Sequence, residues 1–377
     1  MHADEAEPGA ARRLLQAITR KAEARRVPLE VHLETTHRCN ARCIHCYCGL
    51  PRGAEGRAAE RELTVDEFAG LLDDLAELGC LYLTVSGGEL LIRPDVFDIL
   101  GHAKQRGFAF RIYTNGIALT EERVARLAAL EPLTVELSLY AADPAVHDAI
   151  TGVPGSFHRL IQAVRRLKAH GLRTCLKTVI MKPNAADLER THRLGRDLDV
   201  FTHTYSCELS PRVTGHAGIP AQYQLDEAEM YEYLASPVWS RWLTPVPEQS
   251  PEEAALAHPA CAPGVNGCCV DPYGTVFPCL ALRVPMGNIR ETPFRTLWTS
   301  PPPRIQEFLA LKTYADLPEC RACDLTPFCR RCHGDHLLEG GSDWRSCHAR
   351  ARRMARAEQR LYAIRSREAG GAAGSPA

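Results

Sequence analysis

The 377 residues include 24% charged and 45% hydrophobic side chains, with a formal net charge of −1. That is an ordinary globular balance, long enough for two domains or a barrel with an appendage, and it points to neither nucleic acid nor a membrane surface. Apolar runs such as CLYLTV are too short to span a bilayer, and MHADEAEPGAARRLL lacks the apolar core of a signal peptide, so a cytoplasmic location is expected.

Residues 1–28 are expected to hold one helical extension. From 29 to about 207, strand-like and helix-like segments alternate. LEVHLETT is the first strand and runs into a cysteine-rich loop. TVDEFAGLLDDLAELG follows with apolar residues at helical spacing, a Thr N-cap and a closing Gly. The strand LYLTVSGG pairs with the helix DVFDILGHAKQRG, FAFRIYTNG with TEERVARLAAL, TVELSLYA with SFHRLIQAVRRLKAHG, and RTCLKTVIM with NAADLERTHRLGRDL. FTHTYSCEL is the sixth strand. Six such units predict an α/β fold, a parallel sheet curled into a partial (β/α)6 TIM-like barrel over 29–224. In such barrels function gathers at the C-terminal ends of the strands, which here read CNARCIHC, SGGE, YTNG, SLYA and KTVIM.

Residues 225–260 read as a helical bridge broken by prolines, and 261–350 as a loop-rich, cysteine-dense domain. Within it, CCVDPYGTVFPC predicts a hairpin turning at DPYG, and PPPRIQEFLAL a helix. Residues 351–377 are expected to be a C-terminal helix and a tail, with EAGGAAGSPA disordered.

Sixteen cysteines in a chain with no secretory signal favour metal or catalysis over disulfides. Four lie at 39–48 and nine at 261–347, leaving only Cys80, Cys175 and Cys207 between. The spacing Cys39-x3-Cys43-x2-Cys46, on the loop after the first strand, offers three thiolates. Three can hold three irons of a 4Fe–4S cluster and leave the fourth iron open for a substrate or cosubstrate. A structural zinc site is the competing reading of paired cysteines.

This pattern resembles the radical SAM superfamily, whose hallmark is CxxxCxxC with an aromatic residue before the last Cys; here His45 holds that place and Tyr47 follows Cys46. The resemblance extends to SGGE (Ser86, Gly87, Gly88, Glu89), to Thr114 and Asn115 of YTNG, and to Ser138 of SLY. It implies that the glycines let backbone approach S-adenosylmethionine, that Glu89 serves its methionyl ammonium, and that Thr114, Asn115 and Ser138 face the cofactor. Cys48 becomes a bystander, since the motif needs three thiols.

The second cysteine field resembles the SPASM extension of such barrels, which holds two auxiliary 4Fe–4S clusters. Gly274-x4-Cys279 and Cys320-x2-Cys323-x5-Cys329-x2-Cys332, with Cys347 beyond, follow its pattern except for one residue fewer before Cys332. The resemblance implies an outer cluster on Cys320, Cys323, Cys329 and Cys347, and an inner one on Cys261, Cys279 and Cys332. The fourth inner ligand is Cys268 or Cys269, which point to opposite faces of a strand; the stretch CAPGVNGC favours Cys268, and an open iron is the other possibility. His333, His336 and His348 read as surface or hydrogen-bonding residues. Cys80, Cys175 and Cys207 read as small buried residues, and Tyr205, Cys207 and Glu208 end a strand near the expected substrate opening.

The implied enzyme cleaves S-adenosylmethionine reductively to a 5′-deoxyadenosyl radical, which takes hydrogen from a substrate. The expected substrate is a ribosomally made peptide or protein that is oxidised or crosslinked. No winged-helix leader-binding domain fits before residue 29, so a separate recognition protein or direct docking on the barrel is expected. A flavodoxin or ferredoxin would donate electrons. The alternatives are a small-molecule radical dehydrogenase or decarboxylase, acting on a carbohydrate, tetrapyrrole or cofactor precursor, and a zinc-binding structural protein.

Overall fold

The computed structural model describes residues 8–48, 61–207, 209–210, 221–240, 250–261, 263–339, 341, 343–347 and 349–372. Helix α1 (Pro8–Ala24) leads into β1 (Glu30–Glu34), α2 (Val65–Glu77), β2 (Tyr82–Ser86), α3 (Val96–Gln105), β3 (Ala109–Thr114), α4 (Glu121–Leu130) and β4 (Thr134–Ser138). Then come α5 (Pro144–Thr151), α6 (Ser156–Ala169), β5 (Thr174–Val179), α7 (Leu188–Asp197), β6 (Thr202–Ser206) and α8 (Glu227–Ala235). Strands β7 (Gly267–Val270), β8 (Thr275–Phe277) and β9 (Gly287–Asn288) follow, and the chain closes on a helix from Ala349 to Ala372. That helix runs through residues 368–372, where composition alone reads disorder; 373–377 lie outside the described residues.

Strands β1 to β6 pair in parallel in chain order, giving the partial barrel that the alternating pattern predicts. Alternation within each strand sends one set of side chains to each face. Val31, Leu33, Leu83, Val85, Phe110, Ile112, Val135, Leu137 and Leu176 join the main apolar core with Phe68, Leu72, Val124 and Leu160 from the covering helices. The other face carries His32, Glu34, Ser86, Tyr113, Glu136 and Lys177. His32 and Lys177 interact electrostatically although four strand spacings of about 4.8 Å separate β1 from β5, so the sheet is curled around this polar face. Helix α2 begins on a capping box between Thr64 and Glu67, as the Thr N-cap predicts.

The sheet does not stop at β1. Strand β7 pairs with it in parallel, Val31 opposite Cys268 and His32 opposite Cys269, and β8 and β9 continue antiparallel. The cysteine-dense region thus contributes three strands to one nine-stranded sheet. The hairpin turns at DPYG, where Asp271 Oδ1 accepts from the Tyr273 and Thr275 amides at 2.9 Å each. Among the described residues, no helix is long and apolar enough to cross a membrane.

Candidate functional site

The loop after β1 carries Cys39, Cys43 and Cys46, and helix α5 holds its backbone. Arg42 N donates to Thr151 O at 2.8 Å and Ile44 N to Ile150 O at 3.0 Å. Asp143 caps α5, with Pro144 in its first turn. Periodicity in the sequence does not reveal this helix, because eight residues are too few to show a clear repeat. Its start signal, Asp-Pro, is nonetheless present.

The three thiols face one another closely enough that each ionisation opposes the next. Burial pushes the Cys39 thiol up to about 11 and Cys43 up to about 12, and the neighbouring thiols add to both. Cys39 and Cys43 are therefore held in the protonated form unless a cation compensates their charge. Among the described residues, no three His, Cys, Asp or Glu side chains close on a single ion position. A four-iron cluster makes no such demand, since each thiolate binds its own iron.

Glu89, Thr114 and Asn115 come together beside Cys39. Glu89 is buried, and its carboxylate accepts from Leu91 N at 3.1 Å, Thr114 Oγ1 at 2.8 and 3.0 Å, and Asn115 N at 2.8 Å. Burial pushes its pKa up against those donors. Asn115 Nδ2 in turn donates to Asn40 Oδ1 at 2.7 Å and lies 3.8 Å from Cys39 Sγ. Glu89 thereby ties β2 to β3 at the rim and fixes Asn115 against the cysteine loop.

The glycines before it also have a packing role within the protein. A Cβ on Gly87 would lie 2.2 Å from Thr36 O, and one on Gly88 would lie 2.2 Å from Arg38 O. Gly88 N and Glu89 N donate to those same two carbonyls at 2.6 and 2.9 Å. In this structure the bare backbone is needed for the SGGE loop to lie flat on the cysteine loop. Gly88→Ala is accordingly expected to push the two loops apart, destabilising the protein by roughly 3 kcal/mol and loosening the three-cysteine set. Thermal unfolding together with iron content after reconstitution checks this, and wild-type values for both would contradict it.

Tyr140 is the residue at this site that sequence reasoning missed. It is buried, its ring meets His45 edge-on at 4.6 Å, and it lies beside Ser138 and Cys43. Its signal is the SLY motif, in which the resemblance singles out only the serine. His45 Nδ1 is buried without a hydrogen-bond partner, the kind of atom a bound group satisfies. Cys48 is buried with its thiol 3.8 Å from Gly87 O. Cys207 packs against Met354 in an apolar cluster with Tyr205 beside it, while Glu208 and His348 lie outside the described residues.

In the second cysteine field, Cys320, Cys323, Cys329 and Cys347 lie together, each within electrostatic reach of others in the group. Cys332 lies near Cys261 and Cys279, and burial pushes its thiol up to about 12. The register of β7 turns Cys268, expected in this inner set, away from it. Cys268 shares the apolar core with Val31 and Val270 and faces Cys80. Cys269 points the other way, toward Cys279, Glu34 and Arg283. His333 is buried rather than at the surface, its Nδ1 2.8 Å from Trp344 O.

Comparison with known proteins finds two family matches along the chain. Residues 33–195 match the Radical SAM superfamily, and residues 261–324 match SPASM, an iron–sulfur cluster-binding domain. The chain is 30% identical over 342 residues to the AdoMet-dependent heme synthase of Methanosarcina barkeri (strain Fusaro / DSM 804), spanning 83% of this chain and 95% of that protein. It is 32% identical over 307 residues to the PqqA peptide cyclase of Ruegeria pomeroyi, spanning 79% of this chain and 80% of that protein. Among solved structures, Streptococcus suis SuiB bound to precursor peptide SuiA superposes with a TM-score of 0.65 at 18% identity, covering 91% of this chain and 81% of SuiB. Native anSMEcpe with bound AdoMet superposes with a TM-score of 0.63 at 14% identity, covering 89% of this chain and 99% of the other. These two likenesses concern the fold.

Proposed function

Because the chain belongs to the radical SAM superfamily and carries a C-terminal SPASM domain, we propose that it is a maturase that oxidises or crosslinks a ribosomally made peptide or protein. Membership of an enzyme superfamily sets aside the zinc-binding structural alternative. The observation that carries the peptide reading is the 32% identity to a peptide cyclase over 79% of this chain. A fold shared with SuiB bound to its precursor peptide supports it.

In this reading Cys39, Cys43 and Cys46 would hold the first 4Fe–4S cluster, at which S-adenosylmethionine would bind. A cluster and cosubstrate held there would supply the radical chemistry by which such enzymes remove hydrogen from a substrate. Cys320, Cys323, Cys329 and Cys347 hold the outer auxiliary cluster, and Cys261, Cys269, Cys279 and Cys332 the inner one. The protein's own task at the first site is orientation. Glu89, held by Thr114 and Asn115, locks Asn115 against Asn40, while Tyr140 packs on His45 of the same loop and Ser138 is the hydroxyl proposed to meet the cosubstrate. A flavodoxin or ferredoxin is the proposed electron source, and a separate protein the proposed reader of a peptide leader.

A second reading, radical oxidation of a tetrapyrrole, is favoured by the 30% identity to a heme synthase over 83% of this chain. Anaerobic reconstitution followed by two parallel assays separates them. A short peptide encoded beside this gene, coexpressed with the enzyme, is expected to lose pairs of hydrogens by mass spectrometry. Turnover of an added tetrapyrrole with no change in the peptide would overturn the peptide reading. Reconstituted protein is expected to bind about twelve irons with matching sulfide, three clusters of four. A total near eight would strike out one auxiliary cluster.

A further inference from the structure

One buried ion pair joins the two ends of the chain between the cluster sites. Glu34, at the end of β1, is 0% exposed. Its Oε2 accepts from Arg283 Nη2 at 3.0 Å and lies 3.4 Å from His37 Nε2, while its Oε1 accepts from Tyr47 OH at 3.2 Å. Tyr47 follows Cys46 directly, and Cys269 Sγ is 4.0 Å from Glu34 Oε2. Arg283, reached after the β7–β8 hairpin, is itself almost fully buried and stacks over Phe277 at 4.8 Å. It lies close enough to Cys269 and Cys279 to favour the thiolate of each. Its Nε is buried and has no acceptor in the protein.

A buried guanidinium N–H left without an acceptor loses its hydration with nothing in exchange and destabilises the fold. The sulfurs of Cys269 and Cys279, within electrostatic reach of the guanidinium, and those of any cluster they hold are candidate acceptors for this N–H. N–H donors and positive charge beside an iron–sulfur cluster stabilise its reduced form and raise its potential. We propose that Arg283, oriented by Glu34, sets the reduction potential of the inner auxiliary cluster. This rests on the auxiliary-cluster reading above. In it Glu34 has two opposed effects: it aims the guanidinium at the sulfurs, and its own negative charge partly cancels the field.

Those opposed charges separate tuning from a merely structural pin. The test is an EPR-monitored redox titration of the anaerobic, full-length, reconstituted enzyme. The first cluster is recognised by its spectral change on adding S-adenosylmethionine, and the outer auxiliary cluster serves as internal reference. Arg283→Met is expected to keep its iron and lower the inner potential, so that the reduced-to-oxidised ratio at fixed poise falls about tenfold, or about 59 mV for a one-electron couple. Arg283→Lys, which keeps the charge but loses the Nε donor, should fall between. Glu34→Gln, which removes the negative charge and keeps an acceptor for Arg283, should shift the potential upward. An unshifted Arg283→Met, or shifts of the same sign in Arg283→Met and Glu34→Gln, overturns the proposal. Should Arg283→Met lose iron, Glu34→Gln and Arg283→Lys decide, an upward and a downward shift supporting the proposal and any other pair overturning it. A wild-type protein that binds only about four irons would strike out the auxiliary-cluster reading itself, and this proposal with it.

Discussion

Replacing Cys39, Cys43 and Cys46 together by Ala is expected to abolish 5′-deoxyadenosine formation while the auxiliary iron stays bound. Total iron should fall by about a third, from about twelve to about eight per chain. The effect is large because no other group among the described residues stands in for these thiols. Asn115 and Tyr140 reach the loop with an amide and a phenol, and the nearby Cys48 is buried against Gly87 O. The auxiliary iron is expected to survive because its proposed ligands come from other elements, the segments around β7 and β8 and the stretch from Cys320 to Cys347. Deoxyadenosine formation persisting in the triple variant, measured by liquid chromatography after dithionite reduction, would show that the cleavage site lies elsewhere.

The second large effect is a contrast between neighbours. Cys269→Ala is expected to remove or cripple the inner auxiliary cluster, with a loss approaching four irons and of one EPR signal. Cys268→Ala should keep all the iron and cost only on the order of 1 kcal/mol for the small void it opens beside Val31 and Cys80. The two variants differ by one position in the chain, so general damage to β7 affects both. Iron loss in Cys268→Ala with full iron in Cys269→Ala would reverse the assignment.

That contrast also marks where the sequence stops being readable. Adjacent residues of a strand face opposite ways, which is local knowledge and available at once. Which of the two faces the polar interior depends on how β7 registers against β1, a pairing between residues more than two hundred positions apart. The six βα units are legible because each declares itself within some fifteen residues by period, cap and turn. The first cysteine motif is legible for the same reason, being a single loop. SGGE is recognisable as part of the site, but the work of its glycines is not. Whether backbone or cofactor occupies the space a Cβ would need is a property of loops brought together in three dimensions, here at Thr36 and Arg38. Helix α5 and Tyr140 escape notice because one is too short for periodicity and the other carries no spacing signal.

The addition of β7 to the edge of β1 has a consequence for how the protein is made. Cys269 and Glu34, in contact across that edge, are 235 positions apart. At ordinary translation rates the ribosome needs roughly 10–50 s to cover that distance. For that interval the growing chain holds a parallel sheet whose first strand has no neighbour on one side, an open template for pairing with other chains. The C-terminal third therefore acts as a late seal on the nascent barrel, and a chain released early is expected to aggregate rather than accumulate as a soluble barrel.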